Sequence, residues 1–220
     1  MALGDVVAEA QRLIDDYPLP DGVDLELGGT VEDQGDAFSD LGMLFVLIIL
    51  LVYIVMATQF ESLKFPFIIM FTIPFACTGV FLALWMTSTP LSLIALIGAI
   101  MLVGIVTKNG IVMVDYMNLL IERGAEVSEA VVAGGKSRLR PVLMTSFTTI
   151  LGMLPLAIGT GAGSETWQPM GIAVIGGLTF STILTLFIVP ALYSILVNRS
   201  QRKAREQQAR LAAAQGADNR

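Results

Sequence analysis

The sequence predicts an all-α integral membrane protein of five transmembrane helices, preceded by a short α+β piece of a larger domain. Three observations carry this reading. The 220-residue chain is 55% hydrophobic and only 15% charged, which sets it apart from soluble domains. Four long stretches carry no charge at all: 20 residues over 41–60, 43 over 65–107, 24 over 141–164 and 33 over 166–198. About 20 apolar residues cross the roughly 30 Å of bilayer hydrocarbon as a helix, and continuous apolar runs do not fit the alternation of a membrane barrel strand.

The elements follow in order. Residues 1–40 are acidic, with eleven Asp and Glu against the single base Arg12. Within them Val6, Val7, Ala10, Leu13 and Ile14 recur at helical spacing over 5–17, and Pro18-Leu19-Pro20-Asp21-Gly22 turns the chain. Val23, Leu25 and Leu27 then alternate with Asp24 and Glu26, as a half-buried strand does. One helix and one strand cannot bury a core of their own, so 1–40 reads as the end of a larger domain. The first span, about 41–60, comes too late and lacks the basic n-region and cleavage site of a signal peptide. Phe60 to Pro66 forms a short amphipathic connector. The 43-residue run holds two spans, about 66–86 and 91–117, because Thr87-Ser88-Thr89-Pro90 is polar and ends in a residue that cannot continue a helix. A short helix over 127–133, closed by Gly134-Gly135, is expected before a fourth span at about 141–160. The fifth covers about 170–197, and 199–220 form a basic solvated tail, helical or disordered.

Basic residues give the orientation. Lys64, then Arg123, Lys136, Arg138 and Arg140, then the bases of 199–220 alternate with the base-free segments 87–90 and 160–169. The positive-inside rule places the former in the cytoplasm and the acidic N-terminal segment outside.

Composition also excludes functions. A net charge of −6 argues against a nucleic-acid partner. Histidine is absent and Cys77 is the one cysteine, which rules out disulfide frameworks, His-rich zinc sites and His-dependent triads. No nucleophile–base pair or metal cluster marks a span end, so an enzyme is the weakest reading. The glycines of 159–164 have the wrong spacing for a phosphate loop.

Charges at membrane depth are expensive, about 3 kcal/mol or more. Lys108 is the unambiguous case. It could snorkel toward headgroups, but Thr107 and Asn109 beside it make a polar patch that a lipid-facing helix avoids. Asp115 shares its face but lies seven residues on, about 10 Å along the axis, so it marks an interface sooner than it pairs with Lys108. The counter-charge of Lys108 is therefore expected from another segment or chain. Arg138 and Thr145 are also seven apart. Alone, Arg138 reads as an interfacial anchor and Thr145 as a hydroxyl satisfied by its own helix. Ala173, Gly177, Ser181 and Thr185 recur every fourth residue, a stripe suited to close helix packing.

The order of four motifs resembles the resistance–nodulation–division export pumps: Ala57-Thr58-Gln59-Phe60-Glu61-Ser62 with Pro66-Phe67; Gly104 through Val112 around Thr107-Lys108-Asn109; Arg138-Leu139-Arg140-Pro141 through Thr145-Ser146; and Gly159 to Ser164. The hydrophobe and amphiphile (multidrug) branch is the nearest in pattern, over residues 5–198. The resemblance implies the last five of twelve spans, with residues 1–40 closing a periplasmic porter subdomain. It implies a proton relay in which Lys108, with Asn109 beside it, matches the family's intramembrane lysine, Arg138 the arginine at the entry of the eleventh span, and Thr145 the relay threonine. The aspartates that partner the lysine are expected from the remaining half of the permease. The implied energy source is the proton-motive force, with no cofactor. The implied setting is the bacterial inner membrane, as a homotrimer with a periplasmic adaptor and an outer-membrane channel, exporting hydrophobic or amphiphilic substrates. Competing readings are a half-module that binds and modulates an intact permease, and a branch that assists protein or lipid export. Heavy-metal export is weakly disfavoured, because the eleven Met residues sit at ordinary apolar positions.

Overall fold

The computed structural model describes residues 9–14, 30–159, 161 and 163–218. Beyond helical residues 9–14, the described chain forms α1 (Thr30–Gln59), α2 (Lys64–Met70), α3 (Thr72–Met86), α4 (Leu93–Glu122), α5 (Val127–Ile158) and α6 (Ser164–Asp218). With α2 and α3 taken together, five helical segments are long and apolar enough to cross a membrane: Asp33–Gln59, Lys64–Met86, Leu93–Glu122, Val127–Ile158 and Ser164–Arg199. The five predicted spans are all present. Of the helix expected over 5–17, residues 9–14 are helical, while the strand expected over 23–27 lies outside the described residues.

Boundaries differ where local signals compete with backbone hydrogen bonding. The first helix begins at Thr30 rather than near Leu41, since the polar residues of 30–40 contain no proline to halt it. The second span is notched at Phe71. Pro74 has no N–H to offer the carbonyl of Met70, and the Thr72 hydroxyl donates instead to the neighbouring Ile69 carbonyl at 2.6 Å. The turn at 87–90 is as expected: Thr87 donates to the Ala83 carbonyl at 2.9 Å, and Ser88 takes a left-handed φ of 53°. Ser92 then caps α4, its hydroxyl accepting from the Ala95 N–H at 3.2 Å. This helix continues to Glu122, past the expected end near 117.

The largest correction concerns Gly134-Gly135, expected to close a short helix. Instead α5 runs unbroken through both glycines and through Pro141. Gly134 is buried, and a Cβ there would lie 2.6 Å from Met117 Cγ of α4. The glycine serves close helix approach rather than termination. The actual end of α5 is Gly159, left-handed at φ 68°. The last helix starts at Ser164, before the expected 170, and carries Pro169 as its sixth residue at the loss of the single hydrogen bond that an N–H there would give the Glu165 carbonyl.

The packing is centred on α6, which lies against α3, α4 and α5. One cluster gathers Val80 and Leu84 of α3, Leu102 and Val106 of α4, and Ala173 and Leu178 of α6. A second, at the other end, joins Met56, Ile68, Ile69, Met113, Met117 and Tyr193. There the Tyr193 ring stacks on Phe65, centroids 5.6 Å apart, and its hydroxyl donates to Asn118 Oδ1 at 2.5 Å. Between helices in lipid such a bond is worth about 0.6 kcal/mol on average. Tyr193→Phe, which keeps the stacking, is expected to lower the melting temperature of the purified protein by only one or two degrees. A drop as large as that of Tyr193→Ala would mean the hydroxyl and not the ring holds this end.

The stripe of Ala173, Gly177, Ser181 and Thr185 is buried throughout, and Gly177 faces Leu102, Val80 and the Ala76 carbonyl. By contrast, α1 and α5 are thinly covered. Met43, Val46, Leu50 and Val55 of α1 and Met144, Phe147 and Leu151 of α5 stand exposed.

Candidate functional site

The polar patch predicted around Lys108 opens onto a groove between α4 and α5. Its volume is about 500 Å³, and Ile105, Lys108 and Asn109 line one side while Met144, Thr145, Ser146, Thr148 and Thr149 line the other. Both walls owe their position to the other faces of their helices. On α4, Val103, Val106, Thr107 and Gly110 are buried, which turns Lys108 outward. Along the apolar part of α5, only Val142 and Ser146 are buried, which leaves Thr145 and Thr148 facing out.

Lys108 is exposed, and among the described residues it makes no ion pair or hydrogen bond. Asp115, one of the two carboxylates of α4, is exposed further along the helix. Thr107 donates to the Val103 carbonyl at 2.6 Å. Thr145 donates to its own helix, at 3.1 Å from the Pro141 carbonyl and 3.0 Å from that of Val142, as does Thr149, at 2.9 Å from the Thr145 carbonyl. The hydroxyls of Thr145 and Thr149, which line the groove, keep acceptor lone pairs after these bonds, whereas Thr107 is buried on another face of α4. The groove thus presents one cation, an amide and a row of hydroxyl acceptors, an arrangement suited to a carboxylate or to water.

Three of the four predicted relay residues, Lys108, Asn109 and Thr145, therefore share one groove. Arg138 does not line it. Its guanidinium lies 4.7 Å from the Tyr116 ring centroid on α4, and its Nε is buried with no hydrogen-bond partner among the described residues. A cation over an aromatic face gains about 0.5–2 kcal/mol, which fixes the guanidinium against α4. Sequence spacing placed Arg138 and Thr145 on related faces but could not reveal that Tyr116 takes the arginine. It also did not single out Ser146 or Thr182. Their hydroxyls, 2.9 Å apart and buried, join α5 to α6, and no local pattern marks two residues 36 apart. A larger cavity, about 680 Å³, sits at the opposite end among Thr87, Pro90, Ile158 and Glu165 and holds none of the predicted relay residues.

The model of the AcrB/AcrD/AcrF family matches residues 1–197. Among characterised relatives, the swarming motility protein SwrC of Bacillus subtilis is 39% identical over 199 residues, which covers 90% of this chain and 19% of that protein. The cobalt-zinc-cadmium resistance protein CzcA of Cupriavidus metallidurans is 39% identical over 194 residues, 88% of this chain and 18% of its own. The multidrug resistance protein MdtC of Erwinia amylovora is 38% identical over 206 residues, 93% and 20%. The crystal structure of a heavy metal efflux pump superposes with a TM-score of 0.76 at 31% identity, over 89% of this chain and 19% of that one. The chain spans about a fifth of the length of the relatives it matches. Family model, relatives and solved structure agree: the chain belongs to the AcrB/AcrD/AcrF family of resistance–nodulation–division efflux permeases.

Proposed function

We propose that this chain is the C-terminal five-span part of a proton-driven efflux permease that exports hydrophobic or amphiphilic compounds, with Lys108 as the ion-pair partner of carboxylates from the remaining half. The observation that carries the reading is a lysine without a partner among the described residues, on a polar groove between two otherwise apolar helices. Such a charge is costly in lipid unless a counter-charge meets it. A carboxylate seated against Lys108 is stabilised in its charged form, and protonating it removes the attraction. The groove then has two states of different geometry, and proton binding shifts the balance between them. Thr145 and Asn109 accept or donate to the carboxylate or to water in either state, and Arg138 stabilises the α4–α5 contact nearby. The energy source is the proton-motive force. By the distribution of basic residues, the Thr87–Pro90 end faces the periplasm and the tail the cytoplasm of the inner membrane. A homotrimer working with an adaptor and an outer-membrane channel completes the proposal.

A second reading has a specific observation behind it. The similarity to the cobalt-zinc-cadmium resistance protein and to a heavy metal efflux pump favours metal cations as cargo, handled by the same proton coupling. Everted membrane vesicles from cells expressing the permease test both. With the lumen acidified, ethidium is expected to accumulate inside, and collapsing the pH gradient with nigericin stops it. Uptake that persists after nigericin removes the proton-driven reading. Uptake of Zn²⁺ but not ethidium selects the metal cargo. No uptake by this chain, together with altered uptake when it is expressed beside an intact permease, establishes a modulator.

A further inference from the structure

Most threonine hydroxyls along α4, α5 and α6 bond within their own helix. Thr107, Thr145, Thr148, Thr149 and Thr179 each donate to a carbonyl one turn back in their own helix, the ordinary habit of Thr in an apolar helix. Ser146 and Thr182 break the pattern. Their hydroxyls bond each other across α5 and α6 at 2.9 Å, and the residues are only 4% and 5% exposed. Ser146 is at the same time a wall residue of the Lys108 groove.

We infer that Ser146 and Thr182 are positioning residues for the groove, and that their hydrogen bond sets the rotation of α5 that presents Thr145 opposite Lys108. The inference rests on the proposed coupling role of that groove. Successive helical residues point about 100° apart, so a Ser146 tied to α6 turns Thr145 away from α6 and toward α4. The other ties of α5 lie toward its two ends, Gly134 and Arg138 against Met117 and Tyr116 of α4 and the Ala157 carbonyl accepting from Gln168 Nε2 of α6 at 3.0 Å, which leaves the stretch around Thr145 to its own contacts. Within the apolar half of α5, Val142 and Ser146 are the buried residues, and a single methyl-bearing side chain does not define an angle as a directed bond does. Thr145 has no bond of its own across the groove, since its hydroxyl is turned back on Pro141 and Val142. Its placement is therefore inherited from its neighbour. The hydroxyl of Thr185, one turn beyond Thr182 on α6, is buried without a partner among the described residues, which leaves Ser146 as the polar tie of this part of α6 to α5.

The test uses the permease as its source cell makes it, reconstituted in liposomes with pyranine and ethidium or, in a parallel set, pyranine and Zn²⁺ trapped inside and the outside acidified, so that protons enter as substrate leaves. Thr182→Val, which keeps shape and removes the hydroxyl, is expected to slow gradient-driven proton entry about ten-fold at unchanged protein content. Ser146→Ala is expected to do the same, and the double variant to be no slower than either, since both remove one bond. Thr182→Ser is expected to restore at least half the rate, and the pH dependence of entry to shift in Thr182→Val but not in Thr182→Ser. Wild-type rate and pH profile in Thr182→Val overturn the inference, and so does additive loss in the double variant. Proton entry that is also insensitive to Lys108→Met removes the coupling role itself, whereas sensitivity to Lys108→Met with a normal Thr182→Val removes only the positioning role.

Discussion

Lys108→Ala is expected to bring proton-coupled export to background, a fall of at least about 100-fold, while leaving the amount and assembly of the protein in the membrane unchanged. The separation of these two effects is the diagnostic part. Lys108 is exposed and makes no bond among the described residues, so removing it deprives α4 of no packing, and alanine is the better helix former. On stability alone, losing an ammonium at membrane depth is neutral or favourable. If snorkelling were its only business, Lys108→Met, which keeps the length of the side chain and drops the charge, would be silent. If the charge is the coupling element, Lys108→Met is as inactive as Lys108→Ala. Ethidium tolerance of cells, with immunoblots and native electrophoresis of the same membranes, measures both quantities. Full tolerance in either variant at normal protein level would sink the role assigned to this lysine.

The spans were readable because their signals are redundant. A charge-free run, a length near 20 residues and the polar break Thr87-Ser88-Thr89-Pro90 all point to the same five helices. Lys108 was readable because one charge against such a background stands out. What escaped the sequence depends on which surface a residue meets. Gly134-Gly135 has the composition of a helix stop, yet Gly134 is there because Met117 of α4 passes over it. Arg138 has the spacing of a groove residue, yet Tyr116 captures it. Ser146 sits beside Thr145 in the chain but meets Thr182, 36 residues away. Local periodicity fixes which residues share a face of one helix and says nothing of the partner that face receives. Thr145 illustrates the middle case: the backbone-satisfied hydroxyl expected of it alone is what the structure has, and the groove gives that residue its second neighbour.

Gly79→Val is expected to have the second large effect, this time on the fold. Gly79 of α3 is buried where α3 crosses α6, and a Cβ on it would lie 2.6 Å from Phe180 Cβ, 2.8 Å from the Gly176 carbonyl oxygen and 3.1 Å from Gly177 Cα. Two of these three atoms are backbone, so no rotamer change makes room. The helices must separate, which uncovers Val80, Leu84, Leu102 and Leu178 in the same cluster. In lipid no hydrophobic drive pulls them back, because association there depends on close packing itself. A cost of about 3 kcal/mol or more follows from forcing atoms into a filled interface, enough to deplete the folded protein to under about a tenth of the wild-type level. Gly135→Ala provides the opposite case within the same protein. Nothing lies within 4 Å of a Cβ at Gly135, and α5 is helical there, so alanine is expected to be neutral or to stabilise by up to about 1 kcal/mol. Membrane-level immunoblots and thermal melts in detergent read both variants side by side. Normal accumulation of Gly79→Val would mean that α3 and α6 do not cross at these glycines, and a destabilised Gly135→Ala would mean that Gly135 ends a helix after all.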